Sequence, residues 1–158
     1  MSQFDLEKTI WVDADFARMG WHDASIWAMA ANPAAFEFLV DLDYIFQWVQ
    51  PAPGETYFKF WVAPVTMVFE NAADVKVAVE SAQGSLEVAD FYRVPLDPLP
   101  GARVPRYSYR FDCQEGLISL EASSYKMYVR RPPTLLTAQS LELDQRGGFD
   151  FSKGHSDS

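Results

Sequence analysis

The stretch Phe36–Trp48, FEFLVDLDYIFQW, decides how the rest of this chain reads. Phe36, Phe38, Val40, Leu42, Tyr44, Phe46 and Trp48 are all apolar or aromatic. Between them stand Glu37, Asp41, Asp43 and Gln47, interrupted by Leu39 and Ile45. Such period-two alternation describes a strand with one dry face and one wetter face. Asp41 and Asp43 then project side by side from the wetter face. A helix competes for the same residues: Asn32-Pro33 suits a helix start, and Ala35, Phe38, Leu39, Leu42, Ile45, Phe46 and Val49 make a helical stripe. The β-branched and aromatic residues favour the strand.

Outward from this stretch, the signals remain those of strands. Pro51–Gly54 is a turn, and TYFKFWVAPVTMVFE after it is apolar on both faces, as a doubly covered central strand would be. Pro64 in its middle cannot donate to a ladder, so a bulge, a bend or a change of sheet is expected there. Both long segments are expected to bend. Val75, Val77 and Val79 alternate with polar or small residues, and the loop Ala82-Gln83-Gly84 points to SLEVADFYRV as their hairpin partner. The proline-rich stretch 96–105 reads as a stiff loop. RYSYRFDC and GLISLEASSYKMYVRR form a second hairpin through Gln114-Glu115-Gly116, and LLTAQSLEL offers a last edge strand. Residues 1–17 read as an edge segment or arm. The expected architecture is all-β, an antiparallel meander of about eight strands forming a sandwich or barrel. One domain spans 1–150, and 151–158 reads as a flexible tail.

With 158 residues, 49% hydrophobic and 15% aromatic, the chain has enough apolar material for a core of its own. Its net charge of −9 opposes binding to phosphate backbones and anionic membranes and suits a basic partner. Neither nucleic acid nor membrane is therefore expected, and no cofactor is implied. A single cysteine, Cys113, permits no internal disulfide, and no basic-then-apolar leader opens the chain, so a cytoplasmic location is expected.

Three groups of residues invite chemistry. His22 and Asp23, with Asp41 and Asp43, offer ligands for a divalent metal or a general base with an orienting acid. On a strand, however, His22 and Asp23 would face opposite ways, and Asp41 and Asp43 could simply be solvated. Of five tryptophans, most belong in a core by their spacing, with Trp21 and Trp27, flanked by polar residues, as the exceptions that could bind. Arg93, Arg103, Arg106, Arg110, Arg130 and Arg131 gather positive charge in the second half, where surface pairing with acids is the ordinary use. No nucleophile elbow, phosphate loop or H-E-x-x-H is present.

WHD at 21–23, DLDYIFQW at 41–48 and FWVAPVTMVFEN at 60–71 together resemble a group of small bacterial proteins sharing W-H-D, D-x-D-Y-I-x-x-W and V-A-P-x-x-x-x-F. The likeness covers the first half of the chain, with a weaker match at Arg146-Gly147-Gly148. It implies a bacterial source and an all-β fold, and no activity. The WHD start is also similar to some immunity proteins of toxin systems. Two functions follow as expectations. One is a small acidic binding protein that engages a protein partner or itself, as an immunity-type inhibitor of a basic partner would. The other is a metal-dependent or small-molecule enzyme built on His22, Asp41 and Asp43.

Overall fold

The computed structural model describes residues 3–157. Ten strands follow in chain order: β1 (Ile10–Val12), β2 (Ser25–Asn32), β3 (Glu37–Val49), β4 (Lys59–Glu70), β5 (Ala73–Val79), β6 (Leu86–Leu96), β7 (Arg106–Cys113), β8 (Gly116–Ala122), β9 (Ser124–Val129) and β10 (Thr134–Leu136). Short 3-10 turns lie at Asp13–Arg18 and Pro33–Ala35, and one helical turn, α1, at Leu143–Arg146. The all-β reading holds, and the ambiguous stretch at 37–49 is a strand.

The strands are antiparallel and run in the order β1-β9-β4-β3-β2-β6-β7-β8-β5, with β10 beside β4. The sheet is not closed; it folds over on itself like a sandwich. Its halves are joined through a two-residue ladder between β2 and β6, Ser25 opposite Glu87 and Ile26 opposite Leu86. Phe38, Val40, Leu42 and Tyr44 of β3, Met67 and Phe69 of β4, and Tyr125 and Met127 of β9 meet Phe91, Tyr109, Phe111, Ile118 and Leu120 from the other half in one core. Among the described residues no helix is long and apolar enough to cross a membrane.

Pro64 lies where β4 changes neighbour. Along one edge, Phe60–Val62 pair with β10 and Val65–Glu70 with β9. The residue without an N–H occupies the gap between the two ladders, where its carbonyl accepts a bond from the Arg130 N–H (3.0 Å). A bulge in β3 between Ile45 and Gln47 lies opposite Val62 and Trp61, and it re-aims the strand's last residues.

Two expectations need correction. β5 does not pair with β6. It crosses to the far edge and pairs with β8, Val77 opposite Ile118, because β6 already has β7 on one side and β2 on the other. The simple meander therefore becomes two three-strand runs, β2-β3-β4 and β6-β7-β8, linked by crossovers. The second strand of the β7–β8 hairpin is also broken at Ser123, whose hydroxyl and N–H both bond the Glu70 carbonyl. After that break β9 belongs to the other half, and Tyr125 turns into the core. Cys113 packs against this core, where burial first, then the Glu115 and Asp112 charges, pushes its thiol up to about 11. It is an inert packing group.

Phe69 touches rings from both halves: Phe91, Tyr109, Phe111 and Tyr125. Phe69→Ala should lower unfolding free energy by ~3–5 kcal/mol in urea titration. Leu117→Ala, on the exposed face of β8, should change it by less than ~0.5 kcal/mol.

Candidate functional site

Asp41 and Asp43 do share one face of β3, but that face is not wet. Both are fully buried, because the segment after β10 runs back across β2, β3, β4 and β9 and covers them. This returning strap brings Arg146 at the end of α1. Its Nε donates to Asp43 Oδ1 (3.1 Å), while Nη1 and Nη2 donate to Asp41 Oδ2 and Oδ1 (2.9 and 2.6 Å). Arg130, just past β9, adds a bond to Asp41 Oδ1 (2.8 Å) and one to the Thr66 hydroxyl (2.9 Å). Main-chain N–H groups of the strap complete the set, Leu141 to Asp43 (2.9 Å) and Asp150 to Asp41 (3.1 Å). Burial pushes the Asp43 carboxyl up from its ordinary value, against the Arg146 charge and the Leu141 and Trp27 N–H bonds that pull it down.

Trp27 belongs to this clamp. A register shift between Ile26 and Ala28 turns its indole outward, so Nε1 donates to Asp43 Oδ2 (2.8 Å) and the ring lies under the Arg146 guanidinium (4.7 Å). Trp21 instead is core, 3% exposed and ringed by Tyr44, Phe91, Phe111 and Tyr125. Its reading as a surface binder is overturned. Strand pairing begins at Ser25, and the tight turn before it sends Trp21 inward. Arg130 likewise is no surface ion pair, whereas Arg93 with Asp13, Arg106 with Glu121 and Arg110 with Asp112 are partly exposed pairs of the expected kind.

That turn corrects a second expectation. Asp23 adopts a left-handed conformation (φ 67°), which Asp tolerates better than most residues. His22 and Asp23 therefore lie together, with Nε2 3.4 Å from Oδ2. The turn is held by main chain, Asp23 N–H to the Val88 carbonyl and Val88 N–H to the Ala24 carbonyl (2.8 Å each). His22 is exposed, with Nδ1 against the Ala89 carbonyl (3.1 Å) and its ring stacked 6.2 Å from Trp48. Trp48 is 41% exposed and meets Phe58 and Phe60 edge-on.

Acids crowd the other side of the turn. Glu87 follows directly on the Ile26–Leu86 pairing next to Asp23, and the Glu115 carboxylate accepts from the Glu87 N–H (2.8 Å). The Asp23 carboxylate first, then burial and the charge of Glu115, hold the Glu87 carboxyl above its ordinary range. Gln139 of the strap donates to Asp23 (2.7 Å). Glu87, Glu115 and Gln139 carry no sign of this in the sequence, since β6, the β7–β8 turn and the strap bring them together from distant parts of the chain, and Trp48, expected in the core like most of the tryptophans, stands partly exposed beside them. His22 keeps company with Asp23 and Trp48, while Asp41 and Asp43 are bound up with arginines. Among the described residues, no three His, Cys, Asp or Glu side chains are placed to hold a metal ion.

A scan against protein-family models finds no match, and searches of curated proteins and of solved structures find none either.

Arg146→Met leaves buried Asp43 with no counter-charge and Asp41 with Arg130 alone, and should cost ~3–5 kcal/mol in urea unfolding. Adding Asp41→Asn and Asp43→Asn should recover a large part of that loss. Glu87 runs the other way. Because its folded-state value is raised, the folded protein holds that proton more tightly. The contribution thus favours folding below the ordinary carboxyl range and is lost as pH rises through the raised value. Glu87→Gln, which keeps a donor toward Asp23, should therefore raise the thermal midpoint at neutral pH and leave it nearly unchanged in acid.

Proposed function

We propose that this chain is a small cytosolic binding protein that docks a basic protein partner on the Trp21–Ala24 turn, in the manner of an immunity-type inhibitor. The Asp23–Glu87 pair carries this reading. Asp23 and Glu87 stand on adjoining segments of a partly exposed turn, with Glu115 on the Glu87 N–H, and they repel one another when both are ionised in the isolated protein. Glutamine at 87 would remove that repulsion, whereas a Lys or Arg from a partner would relieve it and turn it into attraction.

Beside the acids, Trp48, His22 and Phe58 provide an aromatic ledge. Ring faces accept the stems and charged heads of Lys and Arg, and exposed tryptophans next to polar rims are common binding anchors. The −9 net charge supports the same partner chemistry. Arg130 and Arg146 cancel Asp41 and Asp43 inside the fold, so the whole excess of acid is left to the remaining residues and would steer a basic protein inward. A second copy would present the same carboxylates, which disfavours self-association through this face.

The alternative, an enzyme using His22 with Asp41 and Asp43, has less support. Both Asp41 oxygens accept two bonds each, and Asp43 accepts from Arg146, Trp27 and Leu141. Neither carboxylate presents a spare face to a substrate or metal.

Affinity capture with the intact chain, followed by calorimetry on the protein recovered, tests the reading. A stoichiometric basic partner should bind more weakly as salt rises. Trp48→Ala and Asp23→Asn should each cost at least ~1 kcal/mol of binding, and Glu87→Gln should weaken binding while stabilising the free protein. Recovery of no basic partner, or binding indifferent to all three substitutions, would sink it.

A further inference from the structure

At the end of the strap, sharing no lining residue with the acidic turn, a cavity of about 300 Å³ is walled by Arg130, Arg131 and Arg146 together with Asp150 and His155. Three of the 13 basic residues of an acidic chain thus converge on one hollow. Their roles differ. The Arg146 donors are committed to Asp41, Asp43 and the Gly148 carbonyl. Arg130 directs one bond to Thr66 and one to Asp41, from five N–H donors. Among the described residues the Arg131 guanidinium reaches one carbonyl, that of Gln145 (3.0 Å), and no carboxylate.

Arg131 is nonetheless held in place. Gly147 has φ 79°, and a Cβ there would stand 2.5 Å from Arg131 Nη2, so the guanidinium lies directly on bare glycine main chain. Asp150 on the wall is engaged by the Ser152 N–H (2.8 Å), and the His155 ring is fixed by its bond to the Val129 carbonyl (2.7 Å). A fixed planar fork with spare donors, next to a second guanidinium anchored from behind by a buried aspartate, matches the geometry of an oxyanion.

We infer that this cavity binds a small organic anion through a terminal phosphate or carboxylate held between Arg131 and Arg130. Arg146 acts as a positioning residue, fixing Asp41 and through it Arg130. The volume is at the lower end of small-molecule sites and exceeds what a bare ion needs. An acidic protein repels anions in general, so capture of one requires such a local concentration of guanidinium groups. The site is separate from the turn that would take a basic partner, and either can fail without the other.

Nuclear magnetic resonance of the arginine Nε–H groups tests the inference, with inorganic phosphate as one titrant, acetate as the second and chloride at matched ionic strength as the control. The Arg130 and Arg131 signals should shift saturably with phosphate, acetate or both, and the stronger titrant identifies the group. Arg131→Ala should weaken that binding at least tenfold while the thermal midpoint in anion-free buffer holds. Arg131→Lys, which keeps the charge and stem but loses the fork, should also bind more weakly, and it serves if the alanine variant does not fold. Shifts no larger than those with chloride, or affinity unchanged in both variants, would overturn the site.

Discussion

Two carboxylates lie in the middle of a long central strand, on a face that water does not reach, and the outer half of the molecule is arranged to make that tolerable. Asp41 and Asp43 are each fully buried, and leaving either without a counter-charge would cost several kcal/mol. Arg146 spans both, Arg130 takes up the rest of Asp41, and main-chain N–H groups fill what remains. Such clusters add little stability compared with apolar packing of equal volume. What this one does is fix position: the path of the chain after β10 sets Leu141, Arg146 and Asp150 on their acceptors together. Lys153 on Glu37 and the Ser156 N–H on the Arg130 carbonyl carry that path to its end.

The same geometry ties the clamp to the acidic turn. Gln139, on the approach to the clamp, bonds Asp23, while Trp21 two residues earlier is wedged into the aromatic core. The Trp21 indole N–H is buried with no hydrogen-bond partner among the described residues, a cost accepted for the burial of a large ring. His22 and Asp23 are thus fastened from the core and from the strap, so the crowded carboxylates at 23, 87 and 115 have little freedom to move apart. Under the proposed function, a rigid surface of like charges would cost little further ordering when a cationic group docks on it.

Much of the fold was legible in the residues. Alternation from Phe36 to Trp48 marked β3 despite the helix-like start at Asn32-Pro33, while Pro64, expected at a bulge, a bend or a change of sheet, keeps its regular pairing with β3 and breaks only the ladder on the strand's other edge. The β5 pairing was not legible, since Ala82-Gln83-Gly84 carries a hairpin signal but the choice of edge depends on which edges other strands have already occupied. For the site, the pairing of Asp41 with Asp43 followed from spacing, yet their burial did not. A carboxylate on a strand looks the same in sequence whether water or a distant arginine faces it. The placement of His22 beside Asp23 needed a positive φ that nothing in W-H-D announces. Glu87 and Glu115 gave no local sign at all, because their meaning arises where β2 meets β6 and the β7–β8 turn.

Arg146 reaches an aspartate 105 positions earlier in the chain. During synthesis, β3 emerges long before the charge that will neutralise it. Until then Asp41 and Asp43 stay hydrated, and a strand otherwise rich in Leu, Val, Ile and aromatic residues cannot press that face against a neighbouring nascent chain without stranding two negative charges. The pair that the finished molecule hides therefore guards the unfinished one against sticking, and gives up that duty when the last turn of helix docks.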